Sequence, residues 1–266
     1  MDRIIQPNKI EVKAPMKINK ALYSILLLAI ISLFAAITIA QNTPLGADSI
    51  IVEQSEQANL SLYDPDSVFA EAGNITELTI TGTSVTKSWQ GYYGNVTGTI
   101  ILEDAQGNRF YDWSAAEPQG EIFASVNQSI TWGTVECAPI DENTYRTGWN
   151  TFYGILDTDY DDINKTYNVT SHPTFYVGYT TITGCRTTYT FVNSANQNVD
   201  FPGVLLSSDN NGTLIFTSII EDRATGARQG KIGFDGADHD FQILVAENGQ
   251  NGNSALTQYY FWVELE

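Results

Sequence analysis

Gln258–Glu266 reads QYYFWVELE. Tyr259, Phe261, Val263 and Leu265 fall on one side of an extended chain. Gln258, Tyr260, Trp262 and Glu264 fall on the other. A period of two, written in aromatic and β-branched residues, is the pattern of a strand with one buried face.

Working back from this run, the same texture recurs. Phe241, Ile243 and Val245 alternate, and Thr213–Ile220 follows the turn dipeptide Asn211-Gly212. Thr187–Val192 and Thr174–Thr181 flank Cys185, and Ser129–Val135 and Ile122–Val126 precede them. Asn95–Leu102 and Arg109–Trp113 enclose a Gly-containing loop, which is a hairpin signature. Glu77–Val85 is rich in Thr, Ile and Leu, and Ser49–Val52 and Leu60–Leu62 are shorter extended candidates. Val68–Ala72 offers one helical turn, the single helix expected after residue 40. Turn dipeptides recur at Asn248-Gly249 and Asn251-Gly252, and no repeat of fixed period is present. The expectation is an all-β fold: a β-sandwich or jelly-roll-like body over residues 49–266, as one domain or two packed subdomains, after one N-terminal apolar helix.

That helix is Ala21–Ala40, ALYSILLLAIISLFAAITIA, a run without a charge. Five basic residues precede it (Arg3, Lys9, Lys13, Lys17, Lys20) against two acids (Asp2, Glu11). A basic segment before an apolar core directs the following chain across a membrane. Residues 1–40 are therefore expected to be a signal peptide, cut where the window Thr38-Ile39-Ala40 puts a small residue before Gln41, or a retained anchor, since about 20 apolar residues span a bilayer. Met16 is an alternative start. Residues 41–48, QNTPLGAD, read as a linker.

The chain carries 13 Lys+Arg against 31 Asp+Glu, for a formal net charge of −18. Because the leader holds a surplus of the basic residues, the exported body is more acidic still. Such a body is a poor ligand for nucleic acid, whose phosphates need Lys and Arg, and it touches membrane only through the N-terminal segment. The two cysteines, Cys137 and Cys185, are expected to form one disulfide in an exported protein. Seven Asn-x-Ser/Thr triplets, at Asn59, Asn74, Asn95, Asn127, Asn164, Asn168 and Asn211, are candidate glycosylation sites; Asn164 and Asn168, in a polar loop, are the favoured pair.

Two acidic clusters suggest a cation. Asp157, Asp159 and Asp161 alternate like the first half of a calcium loop, although Asp162 stands where an EF-hand needs Gly and Asn168 where it needs Glu. Asp235, Asp238 and Asp240 crowd a turn that also holds Gly236 and His239. Calcium is the expected ion at either. Trp89, Tyr92 and Tyr93 form a glycine-punctuated aromatic phrase, WQGYYG, able either to stack on sugars or to lid a core. No H-E-x-x-H, G-x-S-x-G or P-loop motif occurs, so no catalytic residue is assigned.

Trp89–Ser114, Ile130-Thr131-Trp132 ahead of Cys137, Asp240–Val245 and Tyr259–Glu264 together resemble exported surface proteins of small-genome archaea of the DPANN type. The resemblance covers most of Ile75–Glu266 and rests on phrases, so it brings no catalytic or binding residue with it. It implies archaeal origin, a cell-surface or extracellular setting, and glycans at several sequons. The functional expectation is an acidic, glycosylated envelope protein with a structural, self-assembly or adhesion role. Its partners would be itself, other envelope proteins or a host-cell surface. The alternatives are a carbohydrate-binding module of the envelope and a glycosidase-like enzyme.

Overall fold

The computed structural model describes residues 43–58, 64–115, 119–209, 212–221, 231–249 and 256–266. The apolar run 21–40, Leu60–Leu62, Asn59, Asn211 and the Asn251-Gly252 turn lie outside them. Among the described residues no helix is long and apolar enough to cross a membrane.

The body is mostly antiparallel β-structure with few helices. In chain order the strands are β1 Leu45–Gly46, β2 Trp89–Gly94, β3 Gly98–Glu103, β4 Arg109–Ala115, β5 Gly120–Ser125 and β6 Glu136–Cys137. Two helices follow, α1 Asn143–Phe152 and α2 Ile163–Thr166. Then come β7 Phe175–Val177, β8 Thr180–Ile182, β9 Thr187–Val192, β10 Asn196–Ser208, β11 Thr213–Ile219, β12 Lys231–Ile232, β13 Asp238–His239, β14 Phe241–Ala246 and β15 Tyr260–Leu265. The main sheet runs β1-β15-β5-β11-β10-β6, and β9 also pairs with the long β10.

Both faces of this sheet are covered, and the strand pleat sorts side chains between them. Ala124, Leu205, Leu214, Phe216 and Phe261 face one core, with Trp149, Tyr153, Ile163 and Tyr167 from the helical segment and Ile243 and Val245 from β14. Phe123, Val204, Leu206, Ile215 and Trp262 face a second core, with Phe175, Val177 and Ile182 of the β7–β8 hairpin. The closing strand thus has no solvent side: Phe261 serves the first core and Trp262 the second. A two-stranded ribbon, β14 with β2, lies against β10 and β11 on the first face. Ser218 Oγ and Tyr167 OH donate to the β14 carbonyls of Gln242 (3.1 Å) and Leu244 (2.8 Å) and fix its height.

Five sequence expectations are corrected. Leu45–Gly46, inside the expected linker, pairs with Val263 and Trp262 and caps the edge of β15. Val68–Ala72 is not helical; the helices are α1 and α2, and α2 begins at Asp162, whose side chain accepts from Lys165 N. Ser129–Val135 is a turn of 3-10 helix at Trp132–Thr134, and Trp132 stacks edge-on against Phe123 and Trp262. Glu77–Val85, expected as a strand, belongs to no strand of the described residues. Thr174–Thr181 divides into β7 and β8 at Gly178, whose φ of 57° suits a tight turn. Cys137 and Cys185 are joined as expected, tying β6 to the segment before β9.

Candidate functional site

The aromatic phrase builds no common platform. Trp89 turns inward to Tyr167 and Phe216, with centroids 6.0 and 6.3 Å away, and its indole N–H donates to the Asp161 carbonyl at 2.7 Å. Tyr92 packs edge-on against Phe261. Tyr93 lies between Phe234 and His239 and accepts from Gln54 at 2.6 Å. All three rings are half-buried, and each serves a different neighbour.

The acidic clusters are also divided among separate donors. Asp157 takes hydrogen bonds from Asn150 and Thr147, both 2.7 Å, and these hold its carboxyl below the usual range. Asp159 caps the Leu156 N–H, and the carboxylate of Asp161 accepts from Thr86 at 2.5 Å. Lys165 Nζ fills the space a cation would use, bonding the Asp159 carbonyl and the Asp162 carboxylate. In the second cluster Asp235 meets Ala237 N and His239 Nε2, Asp240 accepts from Val96 N at 2.8 Å, and Asp238 sits in β13 opposite Ile232. Burial pushes Asp235 up, but those two donors outweigh it and leave its carboxyl low. Among the described residues no group of three or more metal-ligating side chains converges.

Of the described sequons, Asn74, Asn95, Asn127 and Asn168 are exposed. Asn164 differs: it lies in α2, half-buried, and its Oδ1 is buried without a hydrogen-bond partner. Asn127 Nδ2 donates to Thr213 at 3.1 Å and rims a cleft of about 370 Å³ lined by Tyr145, Trp149, Phe152 and Tyr153 of the α1 segment.

Two features escaped the sequence reading. The first is a buried carboxylate pair. Glu121 on β5 stands opposite Glu264 on β15, with relative exposures of 3% and 6%. Glu264 accepts from the Gly178 N–H with both oxygens, at 3.0 and 3.2 Å, while Glu121 Oε2 has no partner. Burial, and then the charges of Glu266 and Glu264, push the Glu121 carboxyl up to about 8. Glu121 opens on a cleft of about 240 Å³ shared with Glu221, Glu266, Thr174 and Tyr176. At neutral pH this pair can hold a proton.

The second feature is an uncovered apolar surface. Among the described residues the β3–β4 hairpin pairs with no other strand. Its register sets Ile100 opposite Trp113 and Leu102 opposite Tyr111, so these four share one face. They are 38%, 52%, 50% and 56% exposed. Thr99, Ile101 and Asp112 form the other face, where Ile101 is 37% exposed, and Phe110, at the register shift, is 84% exposed. Before β2, residues 49–58 and 64–85 are exposed, including Ile50, Ile51, Val52, Phe69, Ile75 and Ile80.

Comparison of the chain with protein-family models, with curated proteins and with solved structures finds no match. The fold and surface therefore define the class by themselves: an antiparallel all-β protein whose two-stranded ribbon, among the described residues, leaves apolar side chains open to solvent.

Proposed function

We propose that this protein is an exported, acidic structural subunit of the cell envelope that works by self-association. Its β-sandwich-like body would stand outside the membrane behind the basic, apolar leader. Its exposed sequons would carry glycans, as the resemblance to archaeal surface proteins implies. The observation that carries the reading is the uncovered apolar face of Ile100, Leu102, Tyr111 and Trp113. A contiguous apolar patch on a stable domain marks a surface that another protein covers, and a lone two-stranded hairpin is marginal in water until a third strand or a packed layer joins it. The aromatic phrase does not favour the sugar-binding alternative, because Trp89 is committed to Phe216 and Tyr167.

Light scattering on the purified chain tests the reading. The high negative charge opposes close approach of copies, and salt screens that repulsion. Assemblies should grow with protein concentration and with ionic strength. A monomer under every condition would overturn self-association and leave adhesion to a different partner.

A further inference from the structure

The open ribbon has a counterpart on the same chain. Glu77–Val85 reads ELTITGTSV. Leu78 and Ile80 fall on one side of an extended backbone and Thr79, Thr81 and Thr83 on the other, the composition of a strand with one buried face. Yet Leu78 is 51% and Ile80 85% exposed, and among the described residues no backbone hydrogen bond reaches 75–85. A β-prone segment without a sheet, and a sheet of two strands with bare edges, are complementary defects.

We infer that residues 77–85 of one copy add as a third strand along the free edge of β3 in a second copy, with Leu78 and Ile80 on the same side as Ile100 and Leu102. The inference rests on the self-association reading and names the partner as another molecule of this chain.

Three observations select this geometry. First, β4 carries the Arg109–Asp112 ion pair, and charged side chains discourage pairing at an edge. β3 carries one charge, Glu103 at its turn end, and none from Gly98 to Leu102. Second, β2 separates the two elements within one copy. The donor ends where Thr86 and Trp89 are pinned to Asp161, and the ribbon begins beyond the other end of β2, about 20 Å of extended chain away. Third, the two surfaces are different patches of one chain, so the contact is heterologous. Each copy both gives and receives a strand, and the product is a reciprocal pair, a larger ring or an open filament. The contact is β-strand addition: backbone hydrogen bonds give affinity and alternate side chains give register.

The test uses the full chain and single-cysteine variants. The native cysteines are already bonded to each other, so an introduced thiol is the free one. Leu78→Cys or Ile80→Cys is mixed with Ile100→Cys or Leu102→Cys under mild oxidation, and covalent dimers are resolved without reductant. At least one of these four same-face mixtures should give a dimer between unlike variants. Thr79→Cys mixed with Ile100→Cys places the thiols on opposite faces and should give none. Ile80→Asp should abolish the larger species in light scattering while leaving the melting temperature unchanged, because the side chain is exposed. Persistent assemblies with no cross-link in any same-face mixture would overturn the strand-addition geometry and leave self-association standing. In the double variant Ile80→Cys, Ile100→Cys, a cross-link formed only within one chain would place the donor on its own ribbon and overturn the inference. Monomers throughout would remove both.

Discussion

Glu121 and Glu264 face each other directly across β5 and β15, both buried, and among the described residues neither has a basic partner. Two like charges in one desolvated register pair are unfavourable together. Gly178 N–H satisfies Glu264, which leaves Glu121 as the group that keeps its proton.

Stability should therefore fall as the pH rises from about 4.5 toward 8. In this window the folded chain binds a proton at Glu121 that the unfolded chain has released, so the slope of unfolding free energy against pH is negative. The group contributes fully below the unfolded value, and the contribution is lost as pH climbs through the folded one. Glu121→Gln keeps the shape and removes the titration. Melting followed by circular dichroism should give the variant a higher melting temperature at pH 8, by about 1–3 kcal/mol of stability, and little change at pH 5. Equal shifts at both values would mean that the pair does not titrate there.

Trp89→Ala distinguishes a core lid from a binding ring. The indole fills space between Tyr167 and Phe216 and satisfies the Asp161 carbonyl. Its loss should cost about 3–5 kcal/mol, read as a large drop in denaturant midpoint. A variant of wild-type stability would place the ring on a functional surface.

The extent of what could be read in advance follows from burial geometry. The closing strand was legible because its alternation is strong, although the inference that one of its faces meets solvent missed Trp262, which enters the second core. Strand β10 was not legible. Val204-Leu205-Leu206 is apolar without alternation because both faces of the central sheet are covered, which erases period two. Helix α1, NTYRTGWNTF, carries Asn, Thr and Gly, all poor helix formers. It is held from outside, by Trp149 in the core and by Asn150 reaching Asp157. Glu121 and Glu264 meet only through strand register between distant parts of the chain, and no local pattern encodes that. The acidic loops were visible as charge, but where each carboxylate points was decided by Thr147, Asn150, Thr86 and Lys165.

For calcium the expected result is no change. The carboxylates of Asp157, Asp161 and Asp240 are each engaged by separate protein donors. Adding calcium or chelator should leave the melting temperature where it was. A calcium-dependent rise of several degrees would require these side chains to abandon their donors and converge.

Removing the disulfide should be costly. Cys137 and Cys185 are 48 residues apart, and closing a loop of that length restricts the unfolded chain by about 4 kcal/mol. The double variant Cys137→Ala, Cys185→Ala should unfold at clearly lower denaturant. An unchanged midpoint would mean that β6 and the β9 segment hold together through Val135, Ile182 and Leu206 alone.

Gly120 and Gly91 make a matched pair for the sheet edge that carries Glu121. Gly120 opens β5 with φ +131°, a region that other residues rarely adopt, and an added Cβ would lie 1.9 Å from the Glu264 carbonyl oxygen. The obstacle is backbone, so it cannot swing aside; β15 would have to shift, and Glu264 with it. Gly91 sits in β2 with nothing within 4 Å of an added Cβ and without a positive φ. Gly120→Ala should cost at least about 1–3 kcal/mol, whereas Gly91→Ala should be near neutral or slightly stabilising. Moving β15 also relieves the crowding at Glu121, so the Gly120 variant should show a shallower pH slope than wild type. A Gly120→Ala protein with native stability and an unchanged slope would show that β5 and β15 are not held in this register.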